Sequence, residues 1–415
     1  MYRVLDRASV PTYLQSIPAA VDVLGVDAEL VIDEIGDGNL NFVYRVTSAA
    51  DASRSVILKQ AVPYLRMVGE EWPLGRERMT FEIRALRLYN EIVPHLVPTI
   101  YHADEDMSTL VMQNLDDHII LRVGMIDGVR YPNVAGHIGE FLAETLFRTS
   151  GFGMLSEERR RWMDRFTLNA ELCKLTEEFI FTFPYMEHES NYSNPITDAW
   201  ARANLRNNSN YKLDVLHLKD LFITKADALL HADLHTGSLM VNQAESYVID
   251  MEFAYFGPFG FDVGKILSNF ILCATAHFER PGGAEYRTWA LEQVLAIWHE
   301  FSARFLSLWD EAGDSAMLMD GMLSEAETRA YRERFMLDLL RESVGFAACS
   351  MARRTLGIAG VADIRDIADA EVRSKLEILN LEISMGLMAE HHTIERIDDV
   401  TEIVLAHYET FSPDR

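Results

Sequence analysis

Apolar and polar positions alternate along ELVIDEIGDGNLNFVYRVTS on both sides of Gly36-Asp37-Gly38-Asn39, a pattern that predicts two strands joined by a turn. SVILKQAV, apolar and β-branched, predicts a third strand carrying Lys59, and STLVMQNL predicts another short strand with a polar end. Between them, GRERMTFEIRALRLYNEI sets Phe81, Ala85, Leu86, Leu88 and Tyr89 near one face of a helix.

Beyond about residue 115 the spacing changes to that of helices. HIGEFLAETLFRTS, LHLKDLFITKADALL and AEYRTWALEQVLAIWHEFSARFLSLW are amphipathic. RERFMLDLLRESVGFAACSMARRTLG places Met336, Leu339, Leu340, Val344, Ala347, Ala348 and Met351 on a core-facing stripe. The only β-like interruption expected is a hairpin in LMVNQAESYVIDMEF. The chain reads as α+β and bilobal: a small β-rich lobe over residues 1–114, a connector near Gln113-Asn114-Leu115, and a large helical lobe over 115–415.

Its 415 residues suit two lobes, and 49% apolar residues suffice for a sizeable core. Lys and Arg total 38 against 64 Asp and Glu, a formal charge of −26 that argues against nucleic acid or an anionic membrane as partner. A phosphorylated ligand would therefore need its own local cations. Cys173, Cys273 and Cys349 are far apart in apolar surroundings and read as buried, reduced thiols. The N-terminal stretch lacks an apolar leader, and no run is expected to reach membrane-spanning length. A soluble, cytoplasmic protein is expected.

The chemistry concentrates in HADLHTGSLMVNQAESYVIDMEF, residues 231–253. Asp233 precedes the expected hairpin and Asp250 follows its second strand, the order of a catalytic-loop Asp and a metal-binding Asp. Asp233 would take the proton of an acceptor hydroxyl. Asp250 and Glu252, read as alternate residues of one strand, would hold Mg²⁺ through hard oxygen ligands. Upstream, Gly36 and Gly38 allow the backbone to close over phosphates. Lys59 on a strand and Glu82 on the next helix have the types and order of an ATP-binding ion pair. A competing reading takes His231, Asp233 and His235 as zinc ligands in an extended H-x-D-x-H, although Thr236-Gly237-Ser238 points to a loop.

HADLHTGS resembles the H-G-D-x-H-x-G-S box of the 5-methylthioribose kinases, on the aminoglycoside-phosphotransferase and choline-kinase side of the protein-kinase-like fold. The resemblance extends to GDGNLNFVYRV as an ATP loop, ILKQAVPYLR as a Lys strand, VGEEWPL as a tryptophan loop, VIDMEFAYFGPFGFDVGK as a D-x-E motif with its sequel, and ARRTLGIAGVADI as a late Arg pair. It implies transfer of the γ-phosphoryl of ATP to the anomeric hydroxyl of 5-methylthioribose in methionine salvage, and a homodimer. It also implies nucleotide contacts from Asn41, Lys59, Gln113, Asn114 and Leu115, and an Asp250-Met251-Glu252 segment on Mg²⁺ and the phosphates. Asp233, Arg353, Arg354 and Trp72 would then meet the sugar. Asp262 in GFDVG reads as a brace for the catalytic loop. The chain departs from the family pattern at Ala232 (usually Gly), at Gln113-Asn114 (usually an acidic pair) and at Glu71 (usually Ser), whereas Ser238 is shared with this branch. Alternatives are another 5-substituted ribose or an aminoglycoside- or choline-like alcohol as acceptor, and a nucleotide-binding protein without turnover.

Overall fold

The computed structural model describes residues 2–35, 40–66, 69–191 and 194–411. Gly36 and Gly38 lie outside the described residues, so the expected phosphate loop is represented here only by its flanks. Those flanks are the strands β1 (Leu30–Glu34) and β2 (Asn41–Ser48), which pair antiparallel. With β3 (Asp51–Ala61), β4 (Ile100–Asp104) and β5 (Thr109–Gln113) they form one antiparallel sheet in the order β1-β2-β3-β5-β4.

Side-chain alternation divides β3 between two cores. Val56 and Leu58, opposite Val46 and Tyr44 of β2, pack beneath the helices Val10–Gln15 and Pro18–Leu24. Lys59 and Ala61 face the other way, toward α1 (Arg78–Ile92), which buries the expected Phe81, Ala85, Leu86, Leu88 and Tyr89. A buried lysine is thereby delivered to the inner side of the sheet.

Several expectations are corrected. The first 115 residues are not purely strand-rich, because two helices of 6 and 7 residues, each with a proline at its start, precede the sheet. Helices that short show too few turns for a period to stand out. The expected hairpin Leu239–Val241 with Ser246–Val248 forms, but it is not the only β structure of the second lobe. Ala228–Leu230 pairs with Tyr255–Gly257, and Ile119–Ile120 adds to Leu239–Val241. Tyr64–Leu65 pairs with Gly69–Pro73, the strand carrying Trp72. Among the cysteines, all free, Cys173 is only half-buried. Among the described residues one segment, Phe259–Glu279, does reach membrane-spanning length and hydropathy, but its 18-residue apolar window is wholly buried as the core helix of the second lobe.

That segment contains α2 (Phe259–Ala276), which runs against α3 (Glu325–Leu356). At Gly264 the two backbones approach so closely that a Cβ would lie 2.2 Å from the Ser343 carbonyl oxygen. The α3 stripe is buried as expected from Leu339 to Met351, with Met336 packed at its edge. Along this crossing Gly260 meets Glu342 and Ser268 bonds Ser350, and Lys265 of α2 and Arg353 and Arg354 of the last turn of α3 converge on Asp233.

Candidate active site

Two charged clusters face the cleft. The first lies beneath the sheet. Lys59 donates to Glu82 at 2.8 Å and also forms an ion pair with Asp250. Glu82 and Glu252 are almost fully buried. Arg78 of α1 sits 3.6 Å from Glu252 and donates to the Asn41 side-chain oxygen at 3.0 Å, while the Asn41 amide donates to Glu252 at 2.8 Å. Asn41 is therefore the bridge between Arg78 and Glu252. Arg78, which sequence reasoning missed, also donates to the carbonyls of Leu40 and Val62 at 2.8 and 2.9 Å, fastening the start of β2 to the end of β3.

The expectation of Asp250 and Glu252 as alternate strand residues is corrected. The strand ends at Val248, and Asp250 lies in a loop with φ of +73°. Aspartate tolerates this left-handed conformation better than most residues. Asp250 is exposed to the cleft whereas Glu252 is turned inward. Burial raises the carboxyls of Glu82 and Glu252 above their ordinary range, with Lys59 opposing. Burial alone would lower Lys59, but Asp250, Glu82 and Glu252 outweigh it and hold its ammonium charged.

Three carboxylates thus face two cations, and the Glu82 Oε2 atom is buried without a hydrogen-bond partner among the described residues. This excess of hard oxygen acceptors fits a divalent cation. Among the described residues no three His, Cys, Asp or Glu side chains group closely enough to hold a metal by themselves. A Mg²⁺ ion held by one or two carboxylates with substrate phosphates completing its shell meets that condition.

The second cluster surrounds Asp233. Asp262 accepts from the backbone N–H groups of His231 and Ala232 at 2.7 and 2.9 Å, so the expected brace is present. His231 donates from Nε2 to the Ile249 carbonyl at 2.9 Å, and its Nδ1 accepts the Asp233 N–H at 3.2 Å. Both ring nitrogens are thus spent on the backbone, tying the Asp233 loop to the segment leading into Asp250, and the zinc reading loses its first ligand. Ser238 donates to the Asp233 and His235 carbonyls at 3.1 and 2.9 Å and closes the loop on itself.

Ala232 holds φ of +64°. A side chain in this left-handed region costs about 1 kcal/mol or more, while glycine's freedom in the unfolded chain offsets part of any gain. Ala232→Gly is expected to leave stability unchanged or raise it by up to about 1 kcal/mol, with turnover retained. Thermal melting checks this, and a clear fall in Tm would mean that the methyl packing outweighs the strain.

Lys265, also missed, is buried and donates to Asp233 Oδ1 and to the Ala232 carbonyl. Arg353 and Arg354 each approach the same oxygen to 3.9 Å. His235 Nε2 lies 3.3 Å from Oδ2. Arg122 stands behind His235 and reaches Asp363 at 3.4 Å. Burial alone would raise Asp233, but Lys265, then His235 and Arg353, hold it well below the usual carboxylate range. On Arg353 the Nε and Nη1 atoms, and on Arg354 the Nε and Nη2 atoms, are buried without hydrogen-bond partners among the described residues. These N–H groups are available to the oxygens of an anion.

Asp233, Lys265 and Arg353 form the polar end of a cavity of about 150 Å³. Trp72, Leu74, Leu175, Phe179, Ile180, Phe253 and Ile358 supply its apolar wall. The structure thus brings Lys59, Glu82, Asp250 and Glu252 together, and separately Asp233, Arg353, Arg354 and Trp72. At the connector, Gln113 accepts the Thr99 N–H at 3.2 Å, Asn114 donates to Ser55 at 3.0 Å and Leu115 is buried. Met251 is buried in the core.

A strand lysine paired with a helix glutamate on one side of a cleft, and a half-buried aspartate ringed by cations on the other, define a phosphotransferase of the protein-kinase-like kind. Residues 31–301 match the phosphotransferase enzyme family. Methylthioribose kinase 1 of Oryza sativa subsp. japonica is 38% identical, over 100% of this chain and 96% of that protein. The methylthioribose kinase of Yersinia enterocolitica is 37% identical, over 96% of this chain and 97% of its own length. A solved choline kinase from Cryptosporidium parvum aligns with a TM-score of 0.49 at 10% identity, over 97% of this chain and 100% of that one. The chain belongs to the methylthioribose kinase family.

Proposed function

We propose that the protein transfers the γ-phosphoryl group of ATP to the anomeric hydroxyl of 5-methylthioribose, giving the 1-phosphate and ADP in methionine salvage. The family supports the reaction, and the cavity carries the choice of acceptor. Its polar end suits sugar hydroxyls and its apolar wall suits an alkylthio substituent. Three cations, Lys265, Arg353 and Arg354, face one carboxylate there, which disfavours cationic acceptors such as choline or an aminoglycoside.

Residues 1–114 would bind the nucleotide and 115–415 the acceptor. Lys59, oriented by Glu82, would hold the phosphates, and the connector Gln113-Asn114-Leu115 would border the adenine. Asp250 and Glu252 would hold Mg²⁺, which when bound supplies neutralisation of phosphate charge. Asp233 accepts a hydrogen bond from the acceptor hydroxyl and takes its proton as the new O–P bond forms. The bond from the γ-phosphorus to the β–γ bridging oxygen breaks, and Arg353 and Arg354 meet the charge on the moving phosphoryl group. Because that transition state is loose, a weakly basic aspartate suffices and positioning dominates.

The test is ADP release with Mg²⁺-ATP and 5-methylthioribose, ribose, choline or an aminoglycoside. Strong turnover is expected on methylthioribose, weak turnover on ribose, which leaves the apolar wall unfilled, and none on the two cations. Turnover on a cationic acceptor with silence on methylthioribose would overturn the assignment.

A further inference from the structure

Lys265 is an unusual neighbour for an aspartate that must accept a proton. It comes from α2, not from the catalytic loop, and its side chain is 2% exposed. Its ammonium is fixed at three points: Asp233 Oδ1, the Ala232 carbonyl at 3.1 Å, and the face of Phe261 at 5.2 Å from the ring centre. On the other side of the same carboxylate stands His235. Its Nδ1 accepts from the Gly237 N–H at 2.8 Å and faces the Arg122 guanidinium at 3.3 Å, both obligate donors, so the ring proton resides on Nε2 and points at Asp233 Oδ2. One N–H donor therefore grips each oxygen of Asp233. A carboxylate offers about four lone-pair sites, so two remain for an acceptor hydroxyl and an approaching cation.

We propose that Lys265 is a positioning residue for phosphoryl transfer: with His235 on the opposite oxygen, its ammonium grips Asp233 and presents the carboxylate to the acceptor cavity. The proposal rests on Asp233 being the base assigned above. The charged form of Lys265 is required, since a neutral amine would lose its hold on the carboxylate. Asp233, Asp262 and His235 face it from the catalytic loop and α2, and Arg353 and Arg354 from α3, with Arg122 behind His235. Burial, reinforced by the two arginines and opposed by Asp233, brings Lys265 down to about 8. Phosphate entering the cavity would raise it, so turnover should decline at pH 8 or above as the ammonium is lost.

The experiment compares Lys265→Met, Lys265→Gln and Asp233→Asn with the wild-type chain, following kcat and KM for ATP and acceptor across pH, with Tm and binding of a non-hydrolysable ATP analogue as folding controls. Lys265→Met is expected to lower kcat by about 10- to 100-fold with KM for ATP unchanged, and to abolish the alkaline decline. Lys265→Gln, which keeps an N–H donor, is expected to recover part of kcat while also lacking the decline. Wild-type turnover with the alkaline decline intact in a folded Lys265→Met or Lys265→Gln protein would overturn the proposal. Turnover retained by Asp233→Asn would instead overturn the assignment of the base, so the two failures are distinguishable.

Discussion

Asp233→Asn is expected to lower kcat by about 100- to 10,000-fold, the usual contribution of a positioned general base, while leaving nucleotide binding intact. The substitution keeps shape and an acceptor oxygen but removes the proton sink and the negative charge. Lys59, Glu82 and Asp250, the proposed nucleotide-binding residues, lie in the other cluster, so a binding titration with an ATP analogue should match the wild type. Stability should respond as well. Asp233 is the carboxylate to which Lys265, Arg353 and Arg354 all turn, and its loss leaves two buried cations and a half-buried one without their shared counter-charge. Because the folded state lowers the Asp233 carboxyl below its ordinary 3.8, its stabilisation is present above that value and is lost only as pH falls through the depressed one. The Tm difference between wild type and Asp233→Asn should thus be full at neutral pH and close only in strong acid. Normal turnover by the variant would remove Asp233 from its role, whatever the stability.

What the sequence discloses here follows from how each contact is made. Lys59 and Glu82 were legible because a strand and the next helix bring them together, and their order along the chain has few explanations. Asp262 was legible from its place after the D-x-E segment. Lys265 stands three residues later in the same helix, yet nothing in GFDVGK separates it from a surface lysine. Only the fold reveals that it is buried and turned toward the same carboxylate as Arg353 and Arg354. Arg78 was hidden in the same way, since its five hydrogen-bond acceptors come from three separate segments of the chain. The strand placement of Asp250 and Glu252 failed because polar–apolar alternation across three residues cannot separate an extended strand from a loop with one left-handed residue. The loop nonetheless brings Asp250 to Lys59, a pairing that the sequence did not disclose.

Lys59→Met should have the largest effect on stability. The side chains of Lys59 and Glu82 are 7% and 1% exposed, and removing one partner of so buried a pair costs about 3–5 kcal/mol. Methionine fills nearly the same volume, so the loss is one of charge and not of packing. Turnover should fall with it, because Arg78, the other cation of the cluster, is committed to Asn41 and four carbonyls and does not replace the ammonium at the proposed phosphate site. The sign of the pH dependence separates charge from shape. Burial raises Glu82 and Glu252, the latter from its ordinary 4.5 to about 8, so their ionised forms cost stability increasingly as pH rises through that window. Lys59 offsets this cost, and without it the cost grows. The Tm gap between wild type and Lys59→Met should therefore widen from pH 5 to pH 8 and narrow as the carboxyls take up protons. Adding Glu82→Gln to the variant should recover part of the lost stability at pH 8 and none of the turnover. A gap that stays constant across pH would assign Lys59 a packing role in place of an electrostatic one, and the double variant would then gain nothing.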